Sequence, residues 1–182
     1  SNTLVVTGTG SGKTECFLIP IADHCLREKK KAIKGIKAII LYPMNALATD
    51  QAGRFSEFLL KDMKENIGNG FPLVTAGLFV GEDQEEKRKA HKSMGLDTGS
   101  DGEISQYHLI DDRSALHDNP PDILLTNYKM IDYLLMKPEH KNLWSSNQSE
   151  SPLKYLVLDE MHTFDGAQGS DVALLIRRLK AK

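Results

Sequence analysis

Five short apolar runs constrain this chain more than anything else in it: TLVVT (3–7), IKAIILY (36–42), LVTAGLFV (73–80), DILLTN (122–127) and KYLVLDE (154–160). Each is of strand length, and each is nearly continuous in apolar character rather than alternating. That pattern belongs to strands buried on both faces, as in a parallel sheet covered by helices. Stretches with helical spacing lie between the runs. The expected fold is therefore an α/β open sheet.

Residues 14–31 place Phe17, Leu18, Ile21, Ala22, Cys25 and Leu26 on one helical face and end in REKKK, a basic run suited to a helix C-terminus. Pro20 conflicts with that helix, and its effect is expected to be absorbed near the first turns. A second amphipathic helix is expected over 46–63, from Leu47, Gln51, Phe55, Phe58, Leu59 and Met63, with GNGFP breaking the chain after it. Residues 82–93 read as a charged, solvated helix followed by a loop. No element is assigned over 104–121 beyond an extended NPPD, and SSNQSESP (145–152) reads as a polar surface loop. No repeat or linker divides the 182 residues, which suffice for one domain with a substantial core.

With 23 basic and 25 acidic side chains, the formal charge of −2 excludes a global basic field, so any nucleic-acid contact must be local. Cys16 and Cys25 are too few for a disulfide framework or a zinc site and read as buried free thiols. His91, His108, His117 and His140 lie in polar segments and read as surface residues. No run is long enough for a membrane span and no signal-like series opens the chain, so a cytoplasmic location is expected.

The chemistry is concentrated at the two ends. Near the start stands TGTGSGKT (7–14). A strand, a tight glycine-rich loop and a helix beginning at Lys13 would point backbone N–H groups at anionic phosphate. Thr9, Gly10, Ser11, Gly12, Lys13 and Thr14 are the candidate nucleotide-binding residues. Gly10 and Gly12 allow close backbone approach, Lys13 supplies an ammonium to the β- and γ-phosphates, and Thr14 a hydroxyl to Mg²⁺. The strict P-loop pattern has glycine where this chain has Thr7, so a chance glycine cluster is the competing reading.

At the other end, LVLDEMH (156–162) is an apolar strand closing on two carboxylates. Asp159 at the carboxyl edge of the sheet can reach Mg²⁺ through water, and Glu160 can polarise an attacking water. A solvated strand end is the plain alternative. His162 is either a locally bonded edge histidine or a residue coupling the nucleotide to the nucleic-acid side.

Taken together, TGTGSGKT and LDEMH resemble motifs I and II of the superfamily-2 DEAD/DEAH-box helicases, whose motif I begins with a small residue where the general pattern has glycine. Other segments resemble the family in order. LYPMNALATDQ (41–51) looks like motif Ia, VGED (80–83) like the conserved-glycine turn, and DILLTNYKMIDYLL (122–135) like motif Ib. The wording is most similar to large bacterial DNA helicases of the Lhr-like and mitomycin-repair type, and helicases of phage-defence systems share much of it. Met161 departs from the usual third position of motif II.

The resemblance implies a RecA-like P-loop NTPase fold, a three-layer sandwich with a mainly parallel central sheet, spanning 1–182 as the first lobe of an ATP-dependent helicase. It implies ATP and Mg²⁺ as cofactors and Lys13, Asp159 and Glu160 as catalytic residues. It implies nucleic acid as partner, DNA before RNA, at Pro43, Asn45, Gly81, Thr126 and Asn127. Each of these has a bland counterpart: Asn45 as a helix cap, Gly81 as a plain turn, Thr126 and Asn127 as strand terminator and cap. Arg177 and Arg178 read as a solvated face or a contact to another domain. The family's second lobe, with its arginine finger, lies outside this sequence, so the isolated lobe is expected to hydrolyse ATP poorly. A non-catalytic binding or scaffold module is the alternative function.

Overall fold

A computed structural model describes residues 3–6, 12–59, 74–81, 109–110, 119–150 and 152–180. Among the described residues five parallel strands form the sheet: β1 (Ala38–Tyr42), β2 (Ala76–Phe79), β3 (Leu109–Ile110), β4 (Ile123–Asn127) and β5 (Tyr155–Leu158), in the order β3-β2-β4-β1-β5. Among the described residues the helices are α1 (Lys13–Lys30), α2 (Asn45–Glu57), α3 (Tyr128–Met136), α4 (Lys141–Glu150) and α5 (Gly166–Lys180).

The pleat of β1 explains the three layers. Successive side chains of a strand point to opposite faces. Ala38, Ile40 and Tyr42 enter one apolar cluster with Leu18, Ile21 and Cys25 of α1 and Ala48, Ala52 and Phe55 of α2. Ile39 and Leu41 enter the other, with Ile131 and Leu134 of α3, Leu143 and Trp144 of α4, and Leu175 and Leu179 of α5. All five β1 residues are fully buried, as its unbroken apolar sequence requires. The chain thus has the RecA-like α/β arrangement of helices on both faces of a parallel sheet.

Several local expectations are corrected. Residues 3–6 form no strand, and Leu4 and Val6 are 69% and 80% exposed; residue 7 lies outside the described residues. Apolar composition is necessary for a buried strand, but a strand also needs a ladder partner, and β5 carries none on its outer side among the described residues. The segment expected to be a loop over 145–152 is helical through Glu150. Buried Leu143 and Trp144 anchor α4, Trp144 Nε1 donates to Leu134 O at 3.1 Å, and the Asn147 amide brackets the backbone of Ile36, accepting from its N and donating to its O. These tertiary bonds override the weak helix propensity of Ser and Asn. His140 is buried rather than on the surface, edge-on to Phe79 at 5.8 Å, and Cys16 is exposed while Cys25 is buried.

Helix α1 runs unbroken through Pro20, its eighth residue and so beyond the first turn. Pro20 and Cys16 both lie exposed, so water can satisfy the Cys16 carbonyl that proline leaves without its helical donor. The end of α1 is a Schellman motif: Ile33 N donates to Glu28 O and Ala32 N to Lys29 O, with Ala32 at φ 61°. Helix α2 is described to Glu57, and residues 60–63 of its expected span lie outside the described residues, as do the charged segment 82–93 and His91, His108 and His117.

Candidate functional site

The parallel register decides which residues meet. Tyr42 pairs with Asn127, Leu41 with Leu158, and Phe79 with Thr126, so β1, β2, β4 and β5 end level with one another. Whatever follows each strand is delivered to a single edge: Pro43 to Asn45, Gly81, Tyr128, and Asp159 with Glu160. In open α/β sheets this carboxyl edge is where ligands bind.

On one side of that edge Lys13, the first residue of α1, meets motif II. Lys13 Nζ lies 3.9 Å from Glu160 Oε1, with both side chains about one-third exposed. Gly12 precedes α1 at φ 76°, a left-handed conformation natural to glycine, and Cys16 N closes the first turn onto Gly12 O. Of the expected phosphate loop, Gly12, Lys13 and Thr14 are described; Thr9, Gly10 and Ser11 lie outside the described residues.

Asp159 leaves the sheet with its N–H bonded to Leu41 O. Its Oδ1 accepts from Glu160 N at 2.9 Å, which orients the carboxylate and leaves Oδ2 without a protein donor among the described residues. Glu160 is itself left-handed, at φ 49° and ψ 43°, and starts a short 3₁₀ turn, Met161–Thr163. Thr163 fastens the turn by donating from its N and its Oγ1 to Glu160 O. His162 is 76% exposed, with Nδ1 3.4 Å from Glu160 Oε2. The glutamate thus stands between a cation on α1 and an imidazole on its own turn.

Two neighbours carried no signal in the sequence. Arg54 of α2 reaches Glu15 of α1 at 4.0 Å. Tyr42 is sealed at the end of β1, where burial, and then the charge of Asp159, raise its phenol pKa; its hydroxyl has no hydrogen-bond partner among the described residues.

On the other side of the edge, Asn45, Gly81, Thr126 and Asn127 meet. Asn127 is the N-cap of α3: its Oδ1 accepts from Met130 N at 2.8 Å, and its Nδ2 donates to Asn45 Oδ1 at 2.5 Å. Asn45 is not the cap of α2. That place falls to Met44, which is extended, 65% exposed and makes no side-chain cap bond. Thr126 is fully buried and donates from Oγ1 to Phe79 O at 2.6 Å, so its hydroxyl is committed to the neighbouring strand. A Cβ on Gly81 would come within 3.3 Å of Asn45 Nδ2. Arg177 lies exposed on α5, whereas Arg178 pairs with Asp132 of α3.

A family model described as DEAD/DEAH box helicase matches residues 1–182. The chain belongs to the DEAD/DEAH-box helicase family. Druantia protein DruE of Escherichia coli (strain UMEA 4076-1) is similar at 29% identity, across 100% of this chain and 14% of that protein. The uncharacterized ATP-dependent helicase YprA of Bacillus subtilis is 29% identical across 97% of the chain and 18% of its own length. The ATP-dependent helicase Lhr-Core of Methanothermobacter thermautotrophicus is 26% identical across 98% and 18%. The chain thus spans less than a fifth of these relatives. No helix among the described residues is long and apolar enough to cross a membrane.

Proposed function

We propose that this chain is the nucleotide-binding lobe of an ATP-driven nucleic-acid helicase or translocase, acting on DNA. The observation that carries the reading is the approach of Lys13 Nζ to Glu160 Oε1, which joins the start of α1 to the acidic strand end from opposite ends of the sequence. A carboxylate near the Lys13 ammonium holds it close to where phosphate oxygens would arrive at the start of α1. The β- and γ-phosphates of ATP would take over that cation and release Glu160 to orient the attacking water. Thr9, Gly10, Ser11, Gly12, Lys13 and Thr14 would supply the groups that hold the phosphates.

Thr14 and Asp159 are chemically suited to hold Mg²⁺, a hard cation that keeps several waters and takes hydroxyl and carboxylate oxygen. The Asp159 Oδ2, which has no donor among the described residues, fits a water-bridged contact. A bound magnesium ion would offset the negative charge of the β- and γ-phosphates. His162, beside Glu160, would sense its position and relay it toward the nucleic-acid side. Single-stranded nucleic acid would run along Pro43, Asn45, Gly81, Thr126 and Asn127. Thr126 and Asn127 act there by holding the edge in shape, since both are buried. The choice of DNA rests on the resemblance to Lhr-like helicases. Efficient hydrolysis needs a second RecA-like lobe to supply an arginine finger, worth about 10³-fold or more in rate.

Titration calorimetry of Mg-ATP into the wild type and Lys13→Ala tests the site. Loss of the charge-assisted contacts should weaken binding by roughly 1.5–3 kcal/mol, and equal affinities would remove the basis for it. In the full-length protein Glu160→Gln should bind ATP but lose steady-state ATPase; undiminished turnover would exclude Glu160 as the water-orienting group.

A further inference from the structure

A carboxamide has one accepting end and one donating end, so in a chain of amides the direction of every bond follows from whichever group has no choice. Met130 N is such a group. It can only donate, so the Asn127 oxygen must face it, as the 2.8 Å bond to Oδ1 records. Asn127 Nδ2 is thereby turned toward Asn45, and Asn45 must answer with Oδ1. What remains is the Asn45 Nδ2, which has no acceptor among the described residues and stands on the Gly81 side, where a Cβ would come within 3.3 Å. The α2 N-terminus beside it has no side-chain cap, so the N–H groups of its first turn also want an acceptor.

We infer that Asn127 is a positioning residue whose amide, oriented by the α3 backbone, fixes Asn45 with its NH₂ outward as a direct hydrogen-bond donor to a backbone phosphate of single-stranded nucleic acid. The inference rests on the nucleic-acid reading above and adds to it a division of labour. Asn45 touches the strand, Asn127 acts through Asn45, and Gly81 supplies the room beside the donor. The ligand chemistry is anionic oxygen with no base edge, so the contact carries affinity and register rather than sequence choice.

Polarity is the property that separates this role from a structural one. In Asn127→Asp the cap of α3 survives, since aspartate accepts from Met130 N as well as asparagine does and suits a helix N-terminus. The other carboxylate oxygen would then face Asn45 and can only accept. Asn45 must flip, presenting NH₂ inward and C=O outward, and a donor to phosphate becomes an acceptor opposed to it.

The test is fluorescence anisotropy of a labelled oligodeoxythymidine single strand with the full-length protein, read beside thermal melting. Asn127→Asp should weaken binding roughly tenfold or more without lowering the melting temperature, and the effect should vanish in an Asn45→Ala background. Wild-type-like binding by Asn127→Asp, or an effect undiminished when Asn45 is alanine, would overturn the relay. Should Asn127→Asp fail to fold, Asn45→Asp keeps the acceptor that Asn127 needs and replaces the outward donor by a negatively charged oxygen opposed to phosphate; binding equal to wild type would again overturn it. A wild type that does not bind the single strand at all would instead sink the nucleic-acid reading beneath it.

Discussion

Lys37, just before β1, and Asp122, just before β4, form an ion pair at 2.9 Å with 1% and 3% of their side chains exposed. Asp122 also receives Lys29 Nζ at 2.8 Å, Thr75 N and Thr75 Oγ1, so this carboxylate ties α1, β1, β4 and the approach to β2 together at the amino end of the sheet. Removing one partner of such a pair strands a buried charge. Asp122→Ala is expected to destabilise the fold by about 3–5 kcal/mol, seen as a lower urea midpoint. A loss under ~1 kcal/mol would mean that water reaches Lys37.

Ala32 occupies the left-handed C′ position of the Schellman motif at φ 61°, where a Cβ is strained and glycine is not. Ala32→Gly should therefore stabilise the protein by roughly 1 kcal/mol. Denaturant unfolding decides it; a destabilisation would show that the gain in unfolded-chain entropy outweighs the relief.

His24 is depressed below its ordinary pKa of 6.5, first by burial and then by the Lys154 charge, with Glu28 opposing. The folded state then binds the proton less readily than the unfolded chain. Its contribution to stability is complete above about pH 6.5 and is lost as pH falls through the lower folded value. Chemical denaturation between neutral and mildly acidic pH should show stability falling with pH, and His24→Leu should reduce that slope.

The two thiols should react unequally. Cys16 is exposed, whereas Cys25 is fully buried and its pKa is pushed up to about 12, chiefly by burial and then by Asp122. Ellman's reagent should titrate Cys16 rapidly in the native protein and Cys25 only after denaturant is added. Rapid modification of both would place α1 away from the sheet.

Strands β1, β2 and β4 were legible because burial on both faces leaves an unbroken apolar run, and β5, half-buried at the edge of the sheet, carries the same apolar run. The run at 3–6 has the same composition, but pairing is a relation between segments that no single segment carries. The helix over Lys141–Glu150 was hidden for the converse reason: what makes it a helix is Trp144 and Asn147 reaching Leu134 and Ile36. The two-residue β3 is too short to have a period. At the candidate site the resemblance pointed to Lys13 and Glu160, whereas the Asn45–Asn127 bond, 82 residues apart, could be seen only once the parallel register levelled β1 and β4.

Glu160 and Ala32 are the non-glycine residues with positive φ among those described. At Ala32 an exchange to glycine relieves the backbone and asks nothing else of the chain. At Glu160 the same exchange would relieve the backbone and delete the carboxylate facing Lys13. A chain selected for thermal stability alone would be drawn to glycine at both places and would lose the proposed chemistry at one. Stability-guided redesign of this domain should therefore hold residue 160 fixed.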